Sequence, residues 1–179
     1  VRLVDDSSGA VTSGSVVNLT SSGGTTRYSD ASNAATLGTS ITAVNDAPSL
    51  GNGTLAAVNE DTTNPAGQTV TAIFTGQFSD PDAGASLAGI AVVGNTANAL
   101  TQGTWQYSTN SGTNWYSIGT VTDGATALAL SSGTMIRFVP VADYNGAPPA
   151  LTVRGLDNTY AGGFSSTAGS ETRINVNTT

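Results

Sequence analysis

Thr104-Trp-Gln-Tyr-Ser-Thr-Asn-Ser-Gly-Thr-Asn-Trp-Tyr-Ser-Ile118 is the stretch whose reading decides the fold class. Trp105 and Tyr107 alternate with Gln106 and Ser108, the two-residue period of a strand that buries one face. Trp115 returns across a turn containing Ser111-Gly112, so the spacing predicts a β-hairpin. Further strand-like runs lie outward from it at 15–20, 39–44, 54–58, 70–74, 88–93, 127–130, 135–139, 151–156 and 172–176. Asn52-Gly53, Asp123-Gly124, Asn145-Gly146 and Gly162-Gly163 punctuate them with turn chemistry. No window sustains a 3.6-residue apolar period with caps. Many short strands at this spacing predict an all-β, antiparallel sandwich.

Composition narrows the chemistry. The 179 residues contain no His, Cys or Lys, which removes Ser–His and Cys–His nucleophiles, imidazole and thiolate zinc sites, disulfides, Schiff bases and the P-loop lysine. Carboxylates are then the only general bases left. Asp80 and Asp82, two apart on one turn, cannot bracket a glycosidic bond, so no enzyme is expected. A net charge of −7 with five scattered Arg leaves no electrostatic footprint for nucleic acid. No apolar run approaches the length of a membrane-spanning helix. The Thr/Ser/Gly/Asn-rich, acidic, Cys-free composition suits a bacterial chain that folds after export to the cell surface.

The end of the chain resembles its beginning. Val1-Arg-Leu-Val-Asp5 is echoed by Val153-Arg-Gly-Leu-Asp157, and Val17-Asn-Leu-Thr20 by Ile174-Asn-Val-Asn177, with five extra residues in the later copy around the Gly-rich 161–169 stretch. The expectation is an internal slice of a tandem array, cut out of phase. Residues 1–46 would be the C-terminal strands of one repeat, or a strand-donating segment, and residues 47–179 the body of the next. A 46-residue β fragment cannot bury a core alone, so neighbouring copies are the expected partners, in line or by strand donation. The Ala47-Pro48 step favours an extended, in-line exit.

Carboxylates cluster in turn-like settings: Asp46 in Val44-Asn-Asp-Ala-Pro48, Glu60 in Asn59-Glu-Asp-Thr62, Asp80 and Asp82 in Phe78-Ser-Asp-Pro-Asp82. Pro81 stiffens the backbone between two carboxylates, and Asn and backbone oxygens lie close by in sequence. Ca²⁺ takes 6–8 oxygen ligands of these kinds, and the chain has no Lys to neutralise the acids. The set Asp46, Glu60, Asp80 and Asp82 therefore points to calcium, although each Asp alone reads as an ordinary turn residue.

Ala43-Val-Asn-Asp-Ala-Pro48, Asn59-Glu-Asp-Thr62, Phe78-Ser-Asp-Pro-Asp82 and Phe138-Val-Pro-Val-Ala-Asp-Tyr-Asn-Gly146 resemble the cadherin-like, Ig-like tandem repeats of giant bacterial surface adhesins exported by type I systems. The resemblance implies a rod of β-sandwiches stiffened by Ca²⁺ between repeats. It also implies Asn45 and Asp46 as linker ligands, Glu60 as an N-terminal ligand, Asp80 and Asp82 as the paired ligands, and Asp143 and Asp157 as further ones. The Leu-Asp-Arg-Glu segment of cadherins is missing here, and the linker is abbreviated.

The aromatic residues leave a second reading open. Trp115 and Tyr116 could stack on a surface glycan, which would make the module a carbohydrate binder. Packing is the expected fate of Trp105, a hydroxyl bond to backbone that of Tyr144, and ion pairs across the sheet that of Arg137 and Arg154.

Overall fold

Alternating apolar residues build two four-stranded antiparallel sheets that pack face to face, so the molecule is mostly β with almost no helix. The computed structural model describes Val4, residues 12–14, Thr20, residues 25–26 and residues 28–178. The chain divides into two compact units, Val1–Val44 and Asn45–Thr179.

In the second unit the strands are β1 (Ser49–Leu50), β2 (Gln68–Thr69), β3 (Phe78–Ser79), β4 (Leu87–Gly94), β5 (Gly103–Ser108), β6 (Tyr116–Ser117), β7 (Ala127–Ser131), β8 (Met135–Pro140), β9 (Thr152–Asp157) and β10 (Asn175–Val176). One sheet runs β10-β7-β4-β9 and the other β2-β8-β5-β6, while β1 and β3 form a separate pair. The predicted hairpin is present: Gln106 pairs with Ser117 and Tyr107 with Tyr116. Its turn is made by side chains. The Ser108 hydroxyl accepts the Gly112 N–H at 3.0 Å, Asn110 Oδ1 accepts the Asn114 N–H at 2.9 Å, and Ser111 takes a left-handed φ of 56°.

The core lies between the sheets. Ile90 and Val92 of β4 and Leu128 and Leu130 of β7 face Tyr107 of β5 and Ile136 of β8, and all six are buried. Each such side chain contributes roughly 1.5–3 kcal/mol by leaving water. The intervening residues Ala91, Val93 and Ala127 are also buried, in a second cluster with Leu156 and Val176. Small side chains leave space there for the segment after β9. Its Phe164 ring would lie 2.7 Å from a Cβ at Gly89, which the Leu130 carbonyl would also obstruct, so only glycine fits that position. Phe164 in turn packs on Tyr160, with ring centroids 5.2 Å apart.

Hydrogen bonds tie this segment to the hairpin. Thr109 N–H donates to Thr167 Oγ1 and Thr167 N–H to Thr109 Oγ1, each at 2.7 Å, and Thr167 is fully buried. The Asn114 amide reaches the Thr167 carbonyl at 3.2 Å. The Tyr107 hydroxyl donates to Glu171 at 2.7 Å; burial first, then Glu171, hold this phenol well above its ordinary pKa. Arg173 pairs with Glu171 at 2.9 Å and donates to the carbonyls of Ser117 and Ile118.

Several sequence expectations need correction. Residues 70–74 are not a strand, because Val70–Ile73 is a helical turn, α1, capped by Thr69, whose hydroxyl oxygen accepts the Ala72 N–H at 3.2 Å. Helical spacing puts Val70 and Phe74 in the core and leaves Ala72 exposed. Residues 54–58 form no strand: Ala56 N–H bonds to the Gln68 side chain at 2.6 Å and no sheet edge runs beside them. Residues 114–118 and 172–176 shorten to the two-residue strands β6 and β10.

In the first unit Val4 bridges Tyr28, and Asp30 caps a short 3-10 turn, Ala31–Asn33. Residues 39–44 form no strand, and Leu37 and Ile41 are 87 % and 95 % exposed. Strand-type residues gain little from an extended backbone without a partner edge. The expected strand at 15–20, except Thr20, and most of the earlier copy of the repeat lie outside the described residues.

Thr167→Val keeps the shape but strips the hydroxyl, leaving the half-buried Thr109 N–H without its acceptor. We expect a loss of about 1–3 kcal/mol in urea unfolding. A change below about 0.5 kcal/mol, the range of an ordinary surface substitution, would show that the hairpin and the segment hold together without this pair.

Candidate functional site

Sheet register explains how the linker meets the acidic turn. β1 pairs antiparallel with β3, with Ser49 opposite Ser79. Continuing that register three residues outward brings Asp46 opposite Asp82, and the Asp46 N–H donates to Asp82 Oδ2 at 2.7 Å. Within the turn, Asp80 Oδ1 accepts the Asp82 N–H at 2.8 Å, an Asx turn that Pro81 stiffens. Asp157 closes β9 opposite Leu87 of β4. Its Oδ1 accepts the Thr159 N–H at 2.8 Å and the Thr159 hydroxyl at 2.5 Å, and its Oδ2 faces the Asn45 amide at 3.4 Å. That amide also donates to the Asp46 carbonyl at 3.0 Å.

Hydrogen bonds thus link Asn45 with Asp157, and Asp46 with Asp82 and Asp80. Asp80 Oδ2 is buried without a hydrogen-bond partner, and no other side-chain nitrogen or oxygen among the described residues is in that position. A buried carboxylate oxygen with nothing to satisfy it is costly. The two ion pairs among the described residues, Arg154–Asp123 and Arg173–Glu171, lie elsewhere, so none of the described arginines neutralises the turn.

Glu60 and Asp143 are not drawn into this network. Asp143 N–H donates to Asp61 Oδ1 at 2.9 Å, both residues with a left-handed φ, and Glu60 lines a groove described below. Among the described residues no three Asp or Glu side chains converge closely enough to hold one metal ion. Any ion at the acidic turn would take the Asp80 and Asp82 carboxylates and complete its shell from amide, backbone or water oxygens.

The groove, of about 1260 Å³, is walled by the irregular segments around 53–68 and 144–150 and floored by Trp105, Arg137 and Phe138. Trp105 stands edge-on to Phe138 at 5.1 Å and its indole N–H donates to the Pro149 carbonyl at 3.0 Å. The Tyr144 hydroxyl donates to the Ala147 carbonyl at 3.1 Å.

Arginine pairing differs from expectation at one of two positions. Arg154 pairs with Asp123, which Arg154 and Thr178 hold well below the usual carboxylate range. Arg137, only 8 % exposed, meets no carboxylate among the described residues. Its Nε donates to Gln106 Oε1 at 2.8 Å and its Nη1 to Asn64 Oδ1 at 2.6 Å and the Pro65 carbonyl at 3.1 Å, while its guanidinium carbon lies 4.0 Å from the centre of the Trp115 ring. The reason is position: a strand-centre cation beneath an indole is supplied with amide oxygens by the 64–65 segment and by β5. One face of Trp115 is therefore taken by Arg137, and the Tyr116 hydroxyl donates to the Gly169 carbonyl at 3.4 Å.

Among the described residues no helix is long and apolar enough to cross a membrane. Comparison with protein-family profiles, curated proteins and solved structures finds no match to this chain.

The Asp157 carboxyl is held below its ordinary value, chiefly by the Thr159 hydroxyl, with burial opposing and the Thr159 N–H and Asn45 amide assisting. A depressed folded pKa means that this stabilisation is complete above the ordinary value near 3.9 and is lost as pH falls through the folded value. Denaturant titrations of wild type and Asp157→Asn should show a constant stability gap from neutral pH to about pH 5 that narrows below about pH 4. A gap unchanged down to pH 3 would remove the charge of Asp157 from the account.

Proposed function

We propose that the chain is a structural repeat module of a bacterial extracellular adhesin rod or fibre, with calcium stiffening the joints between repeats. Its partners are neighbouring copies of the same repeat, and its work is mechanical rather than catalytic. An antiparallel sandwich suits such a role because its interstrand bonds and buried core resist extension together.

The observation that carries the reading is the buried, unsatisfied Asp80 Oδ2 beside a turn to which the linker is already fastened through Asp46. A divalent cation would supply the missing partner for that oxygen and neutralise a turn that none of the described arginines serves. Asp80 and Asp82 would hold it, with Asn45, Asp46 and Asp157 orienting the linker and the end of β9 around them. Free rotation at the linker would fall, which is what a rod of tandem units requires. The assignment to an extracellular, bacterial setting rests on the adhesin-repeat resemblance and on the Lys- and Cys-free composition.

Thermal melting in calcium and in chelator tests it. At a hundredfold excess over the dissociation constant, calcium should stabilise the protein by about 2.7 kcal/mol and raise the melting temperature by roughly 5–10 °C. Asp80→Asn with Asp82→Asn should abolish that rise. Identical melting curves with calcium and with chelator would sink the ion and the stiffened joint with it.

A further inference from the structure

Arg137 is a buried cation that no carboxylate among the described residues reaches, although the chain carries 12 carboxylates and only five arginines. Its three hydrogen bonds all end on neutral oxygens, those of Gln106, Asn64 and Pro65. Nη2 has no hydrogen-bond partner among the described residues. It is not sealed off either, since Asp80 Oδ2 is the only fully buried side-chain polar atom there without a partner. Arg137 borders the groove together with Asn64 and Pro65, the residues that hold its Nη1. Leaving a largely desolvated cation without a counter-charge is unfavourable, and a guanidinium edge matches a carboxylate in shape as well as in charge.

The rest of the lining narrows the occupant. Trp105 and Tyr144 bring aromatic surface, Asn59 and Asn64 bring amides, and the remaining wall is largely Gly, Ala and Pro. In the 53–58 wall the Ala56 N–H is held by the Gln68 side chain, and the segment carries no strand hydrogen bonds. Aromatic surface with many neutral hydrogen-bonding groups fits a ring carrying hydroxyls. The volume of about 1260 Å³ exceeds the roughly 300–1,000 Å³ of a pocket for one drug-sized molecule, which calls for an extended ligand. Glu60 is the other charged group on the lining, exposed at the rim.

We infer that this groove binds an acidic saccharide of two or three rings, the Arg137 guanidinium taking a sugar carboxylate and Trp105 and Tyr144 bordering the rings. The inference does not depend on calcium at the Asp80–Asp82 turn, and it places glycan recognition away from the exposed side of Trp115 and Tyr116. An acidic peptide is the competing occupant. It is disfavoured because neither wall is a regular strand that could offer it a hydrogen-bonded ladder.

The test titrates the whole chain with trigalacturonate, its methyl ester and a Glu-containing hexapeptide. Tryptophan fluorescence and calorimetry are the readouts, with chelator present throughout so that no cation can bridge carboxylates. The acid should saturate the protein, the neutral ester should bind at least about tenfold more weakly, and Arg137→Lys, which cannot present the planar fork, should lose a similar factor. Tyr144→Ala, on a loop, should melt like wild type and bind several-fold more weakly. If Arg137→Lys proves unfolded, the ester comparison and Tyr144→Ala decide. Equal binding of acid and ester, no saturation at millimolar acid, wild-type affinity in Tyr144→Ala, or tighter binding of the peptide would each overturn the inference.

Discussion

The reciprocal bonds between Thr109 and Thr167 hold the sandwich closed. Thr167 sits in the middle of a long irregular segment that must cross from β9 to β10, and Thr109 opens the turn of the central hairpin. Each backbone N–H finds the other residue's hydroxyl oxygen, on the Thr167 side in a fully buried position. The segment so fixed carries Phe164 over Gly89 and delivers Glu171 to Tyr107, the largest fully buried side chain of the core. A chain with only 6 % aromatic residues cannot rely on bulk alone for its interior. Paired hydroxyls and amides supply the specificity that large side chains supply elsewhere, because an unmatched polar group in that setting costs more than a matched one contributes.

The same economy governs the acidic end. Two strands of two residues each, β1 and β3, do little for stability by themselves, yet their register determines which linker residue meets which carboxylate. A shift of one residue would turn Asp46 away from Asp82 altogether. Short strands act here as a positioning device for a loop, and the chemistry of the end follows from where they place it.

Much of the architecture was legible from two signals: alternation of residue types at 104–108, and short apolar runs bounded by turn residues at 88–93 and 127–130, which are buried on both faces. Residues 88–93, 104–108, 127–130, 135–139 and 151–156 are strands within a residue or two of where the pattern puts them. Residues 70–74 misled because Val70 and Phe74 fall on one face under a two-residue and a 3.6-residue period alike. The discriminating signals were the capping Thr69 and the exposed Ala72. Residues 39–44 and 54–58 have strand composition, but a strand also needs an adjacent edge, and composition carries no information about edges. At the acidic end, the bond between Asp46 and Asp82 spans 36 positions and depends on strand register, so no local motif could display it. The same is true of Arg137, whose indole and amide partners come from three separate stretches of chain.

The placement of the arginines has a consequence for resistance to proteases. Enzymes that cleave after basic residues need several residues of chain to leave their hydrogen bonds and enter a cleft as a loose strand. The chain has no lysine, and in the second unit its three basic residues are Arg137, Arg154 and Arg173. The first two lie within β8 and β9, and the third is clamped to Glu171 and to two carbonyls at the end of the hairpin. Trypsin-like digestion of this unit therefore has to wait for the body to open, and its lifetime among such proteases is set by unfolding rather than by the number of cleavable bonds.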